Sequence, residues 1–133
     1  MQTNTLSIEI FKPIGVVFEA TVNPQNTSKW VPFILEEVAS EYPPKIGTVY
    51  SQRVKESNGG EGRSSIVLVG LIPNQFLGFH STNGKYACYY YYKQTPAGTL
   101  LTYSEDAGEG ETLTTPFTAE IMQLLKKLIE SQA

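Results

Sequence analysis

Few residues in this chain could do chemistry on their own. Among 133 residues there is one histidine, His80, and one cysteine, Cys88. A zinc site of nitrogen and sulfur ligands needs about four such side chains, so one chain cannot assemble it. No Gly-x-Ser-x-Gly elbow occurs, and a histidine-based triad would require His80 in the interior. Gly108-Glu109-Gly110-Glu111 lacks the third glycine of a dinucleotide loop, and its carboxylates would repel phosphate. Glu105, Asp106, Glu109 and Glu111 could gather a calcium ion only outside an EF-hand pattern, and a solvated acidic loop is the simpler reading. What remains is Glu105 and a set of eight tyrosines. A desolvated carboxyl has a raised pKa and can act as a general acid or base. A neighbouring Tyr90 or Tyr103 could then hydrogen-bond a carbonyl or enolate.

The elements that would position these groups are legible from turns and periodicity. Leu6 to Ile10 alternates as a strand. Pro13 opens a helix whose apolar residues Ile14, Val17, Phe18 and Val22 recur at helical spacing. Asn23-Pro24 starts a second, shorter helix ending before Pro32. Asn58-Gly59-Gly60, Pro73-Asn74, Asn83-Gly84 and Pro96-Ala97-Gly98 supply hairpin conformations. They predict strands near 34–40, 47–56, 62–72, 75–82, 86–95 and 99–106, consecutive and antiparallel. Pro116 to Ser131 predicts a closing helix with Thr115 as its N-cap and a stripe of Phe117, Ile121, Leu124, Leu125 and Leu128. The expected fold class is therefore α+β, with about seven strands in the order β-α-α-β6-α.

Directly opposed residues share a sheet face. A two-residue turn at Asn83-Gly84 sets Phe79 against Cys88 and Leu77 against Tyr90. The neighbouring turns extend that face to Ile66, Leu68, Gly70, Tyr50, Gln52, Val54, Ser81, Tyr86, Tyr92, Leu101, Tyr103 and Glu105. The opposite face carries Arg53, Lys55, Arg63, His80 and Lys93, with Val67, Phe76, Tyr89 and Tyr91 among them. The inward face is apolar but rich in tyrosine, whose buried hydroxyls need partners. Apolar walls with convergent hydroxyls suit a ligand pocket; tyrosine's preference for strands is the plainer explanation. The closing helix would form the lid or floor.

Composition narrows the function classes. A chain of this length fits one domain spanning residues 1–133. No run approaches roughly 18 apolar residues, so no membrane-spanning helix is expected, and no secretory leader is visible at the N-terminus. A lone cysteine suits a reducing compartment, and the cytoplasm is the expected location. The net charge is −3, and the ten basic residues are scattered, which argues against a nucleic-acid partner. Neither a metal nor a cofactor is implied, and a monomer or weak homodimer is expected.

Several local sequences carry a resemblance. Phe18-Glu19-Ala20-Thr21-Val22-Asn23-Pro24, Lys29-Trp30-Val31-Pro32, Ile46-Gly47-Thr48 and Gly98-Thr99-Leu100-Leu101-Thr102-Tyr103, with the closing helix, resemble the helix-grip fold of the SRPBCC superfamily. That superfamily includes START lipid-transfer domains, pollen-allergen-type binders, polyketide cyclase-like proteins and Hsp90 activators. The chain is most similar to its small single-domain bacterial members. The resemblance implies a curled sheet wrapped around a long C-terminal helix and places Trp30 near a cavity. The candidate lining residues are thus Trp30, Tyr50, Gln52, Ile66, Leu68, Leu77, Phe79, Ser81, Cys88, Tyr90, Tyr92, Leu101, Tyr103, Glu105, Phe117, Ile121 and Leu124. Three functions follow as expectations. One is binding or transport of a small hydrophobic or aromatic molecule. Another is a cyclase-like reaction using Glu105 and the tyrosines. The last is a protein-interaction surface built on Phe76, Tyr89 and Tyr91.

Overall fold

The structure is a computed structural model describing residues 2–132. Strand β1 (Thr3–Ile10) leads into α1 (Ile14–Val22) and α2 (Pro24–Trp30). Then come β2 (Ile34–Ala39), β3 (Val49–Lys55), β4 (Glu61–Ile72), β5 (Phe76–Ser81), β6 (Tyr86–Gln94) and β7 (Thr99–Ala107), and α3 (Ala119–Glu130) closes the chain. The seven strands form one antiparallel, curled and unclosed sheet in the order β1-β7-β6-β5-β4-β3-β2. The first strand therefore pairs with the last, Leu6 lying opposite Tyr103.

Local sequence explains the boundaries. Asn23 caps α2, its side chain accepting from the Gln25 amide at 3.0 Å, with Pro24 in the first turn. Gly84 turns the β5–β6 hairpin at φ 75°, a conformation glycine adopts without steric cost. The resulting register sets Phe79 opposite Cys88 and Leu77 opposite Tyr90, as the turn requires. Across the next pair, Tyr92 meets Leu101 and Tyr90 meets Tyr103.

Two bulges alter the expected faces. Between Leu68 and Gly70 the β4–β5 register shifts, so Leu71 pairs with Leu77 and Gly70 with Gly78. Gly70 therefore lies on the outer face, where Phe76 packs so closely that a Cβ at Gly70 would strike its ring. A second shift, between Ile34 and Glu36, inserts one residue into β2. It leaves Ile34 inside and turns Glu37, opposite Gln52, inward as well. Outside lie Glu36, beside Arg53, and Val38, which is 55% exposed.

The closing helix is shorter than its sequence suggests. Pro116 and Phe117 precede it, and Thr118 is the N-cap, its hydroxyl accepting from the Ile121 amide at 3.3 Å. Its buried stripe is Ile121, Met122, Leu125 and Ile129. At about 100° per residue, Leu124 falls well to one side of that stripe and is 43% exposed. The helix packs on β1 and α2. Lys126 ties it to β1, donating to the Glu9 carbonyl at 2.6 Å and to Glu130 at 2.8 Å while lying over the Phe11 ring. Among the described residues no helix is long and apolar enough to cross a membrane.

Candidate functional site

Between the concave sheet, α2 and residues 111–117 lies a cavity of about 570 Å³. Its interior is walled by Val31, Ile34, Tyr50, Ile66, Phe79, Cys88, Tyr90, Tyr103 and Phe117. The mouth is rimmed by the β3–β4 and β5–β6 hairpins, at Lys55, Glu56, Ser57, Asn83 and Lys85, and by Glu111 to Thr115. A volume of this size is within the range of small-molecule sites.

Seventeen side chains were expected at this wall, and ten of them reach it: Tyr50, Gln52, Ile66, Phe79, Ser81, Cys88, Tyr90, Tyr103, Glu105 and Phe117. The others do not. Leu68, Leu77 and Leu101 are fully buried in the core. Tyr92 is buried too, sharing a 2.5 Å hydrogen bond with Thr21 and packing edge-on against Phe18. Trp30 lies beneath Phe117, ring to ring at 5.6 Å, behind the wall rather than in it. Ile121 and Leu124 are displaced because α3 covers β1 and α2, while the extended residues 111–117 close over the void. The segment before the helix, rather than the helix, is the lid.

Glu105 holds that segment down. Its side chain is 1% exposed and saturated with donors. Tyr86 donates to Oε1 at 2.6 Å, while Asn4 Nδ2 and the Phe117 amide donate to Oε2 at 2.8 and 2.6 Å. Asn4 also donates to the Phe117 carbonyl at 2.9 Å. Tyr103 completes the cluster, its hydroxyl 2.7 Å from that of Tyr86. A general base must offer a lone pair to substrate, and here the protein occupies them. Asp106 lies on the opposite face of β7 from Glu105, and among the described residues no group of metal-ligating side chains gathers.

The second carboxylate of the cavity was missed by the sequence reading. Glu37 sits where the β2 bulge turns it inward. Thr27 donates to its Oε1 at 2.5 Å and Gln52 to its Oε2 at 2.6 Å, while Ser64 donates to Gln52 Oε1 at 3.0 Å. Burial raises its pKa above 4.5, and the Thr27 and Gln52 hydrogen bonds oppose that rise. Nothing in Ile34-Leu35-Glu36-Glu37-Val38-Ala39 marks which of two adjacent glutamates a bulge turns inward. The second shallow pocket, beside Asn23, Pro24 and Tyr42, reaches Glu37 from outside.

Away from the charged rim, the tyrosines and Cys88 of the wall are neutral groups. Burial pushes Tyr86, Tyr90 and Tyr103 well above the ordinary phenol range and Cys88 up to about 12. None is a phenolate or thiolate at neutral pH. Tyr50 spends its hydroxyl on the Val22 carbonyl at 2.8 Å. Tyr90 lines the cavity, and among the described residues its hydroxyl has no hydrogen-bond partner.

No family model and no curated protein sequence matches the chain. Solved structures do. Protein CV1439 from Chromobacterium violaceum is 14% identical with a TM-score of 0.78, covering 99% of this chain and 100% of its own. Ara h 8.0201 is 15% identical with a TM-score of 0.73, the match covering 98% and 99% of the two chains. The di-domain ARO/CYC StfQ of the steffimycin biosynthetic pathway is 16% identical with a TM-score of 0.75 over 96% of this chain and 50% of that one. The chain shares their fold, a curled antiparallel sheet of seven strands with a C-terminal helix. At these identities the helix-grip likeness establishes architecture, and function rests on the cavity.

Proposed function

We propose that this helix-grip protein binds a small hydrophobic or aromatic molecule with polar edges inside the cavity. The observation that supports the reading is the void itself, about 570 Å³ walled by Ile34, Ile66, Phe79, Tyr90 and Phe117. A core built only for packing would fill such a volume, because interiors approach crystal density. Apolar burial supplies affinity, and the unpartnered Tyr90 hydroxyl, with Gln52 and Ser64, orients the ligand. That one structural neighbour, the ARO/CYC StfQ, belongs to a biosynthetic pathway for a small molecule is compatible with this reading.

The test uses the uncharged fluorophore N-phenyl-naphthylamine. Its emission should rise on mixing with the wild-type protein. Val54→Trp, which places an indole in the void from a half-buried strand position, should weaken binding by about tenfold or more. Tyr91→Ser, on the outer face, should leave it unchanged. Loss of binding in Tyr91→Ser with retention in Val54→Trp would overturn the cavity reading and favour the outer aromatic surface.

A further inference from the structure

Glu37 is a carboxylate without a counter-ion. Among the described residues no lysine, arginine or histidine nitrogen lies within 4 Å of it, whereas Glu36, its neighbour outside, reaches Arg53. The hydrogen bonds converge on it: Ser64 donates to Gln52, and Gln52 and Thr27 donate to Glu37. Both oxygens of Glu37 thus have a donor group in reach, which suits an ionised, acceptor-only carboxylate. Two neutral donors compensate a desolvated charge only partly. On the same concave sheet wall stand the rings of Tyr50, Phe79 and Tyr90, linked edge to face at 5.1 and 6.3 Å. The charge of Glu37 is felt there, adding to burial in raising both the Tyr50 and Tyr90 hydroxyls. Four carboxylates and two lysines line the whole cavity, and Lys85 is 4.0 Å from Glu111 at the mouth.

We infer that the ligand is an organic cation, an aromatic or alkyl amine whose protonated nitrogen is held by Glu37 and whose apolar body lies against Tyr50, Phe79 and Tyr90. An ammonium group would supply the missing counter-charge and the hydrogens for the free lone pairs of the carboxylate. The rings add cation–π attraction. The field of the excess carboxylates favours entry of a cation and opposes an anion. This inference rests on the cavity-binding reading and adds the chemical class of the occupant.

The experiment titrates the wild-type protein calorimetrically with three probes of one shape, naphthylethylamine, naphthylethanol and naphthylacetate. The amine should bind about tenfold or more tighter than the alcohol, and the acetate weakest. In Glu37→Gln the amine's advantage should vanish while the alcohol binds as before, which also shows that the variant is folded. Equal affinities, or tighter binding of alcohol or acetate, would overturn the amine assignment and leave the cavity reading standing. Binding of none of the three, with no effect of the uncharged fluorophore, would overturn both.

Discussion

At the scale of single residues, the two interior carboxylates divide the labour. Glu105 is structural: its three donors belong to the protein, and it joins β7 to β1, β6 and the lid. Glu37 is held from one side and faces the void from the other. Their difference yields a stability prediction with a definite sign. The folded Glu37 carboxyl keeps its proton to higher pH than an unfolded one. Between those two values the unfolded state binds fewer protons, so stability falls as pH rises through the interval. The melting temperature of Glu37→Gln relative to wild type should therefore be higher at neutral pH than below pH 4.5, on top of a pH-independent loss where the new amide meets Thr27 or Gln52. A melting series on both proteins across pH checks this; an equal or higher relative melting temperature at acid pH would contradict it.

At the scale of elements, close approach and stripe direction set the sensitive positions. Gly98 ends the β6–β7 turn where the chain passes β1. A Cβ there would overlap the Ile10 carbonyl and stand 2.9 Å from both the Lys12 nitrogen and the Phe11 Cα. Since backbone cannot step aside as a side-chain tip can, Gly98→Ala should cost about 1–3 kcal/mol, read as a lower urea midpoint. On α3, Leu125→Ala should cost about 2–5 kcal/mol, and Leu124→Ala within about 0.5 kcal/mol, as at other exposed sites. Equal losses at both leucines would refute the observed stripe. These elements also show what a sequence conveys. Hairpin register was readable because Asn83-Gly84 admits few geometries, and each further turn inherits its alternation. The bulge at Ile34/Glu36 was hidden, because it comes from pairing between strands and carries no local marker, whereas the one at Leu68/Gly70 was signalled by a lone glycine inside a strand that the face assignment passed over. Gly70 was consequently placed inside and Glu37 overlooked. The start of α3 was misplaced for a related reason. Pro116 is a good first-turn residue, but burying Phe117 beside Trp30 and Tyr103, with its amide on Glu105, keeps that segment extended.

At the scale of the molecule, the lid is fastened to the sheet by few groups. Residues 111–117 border the cavity, and Glu105 with Asn4 grips both the amide and the carbonyl of Phe117. Glu105→Gln removes one acceptor and points an amide at groups that themselves donate. Each stranded donor costs about 1–3 kcal/mol. Amide exchange should accelerate in residues 108–118 while β5 and β6 stay protected. Uniform acceleration throughout the sheet would show that Glu105 supports the whole fold rather than its lid.

The pairing of the first strand with the seventh governs how the chain can be made. Thr3 lies opposite Asp106, and α3 rests on β1. During synthesis β1 therefore emerges with no partner and waits through the manufacture of five further strands. Hairpins from β3 to β6 can pair as they leave the ribosome, each with its neighbour, but the sheet cannot take in its leading strand until β7 is out. Long-range closure of this kind slows folding. Nascent chains halted before Thr99 should leave Leu6, Ile8 and Ile10 accessible, and a hydrophobic-surface chaperone has its longest opportunity at that strand.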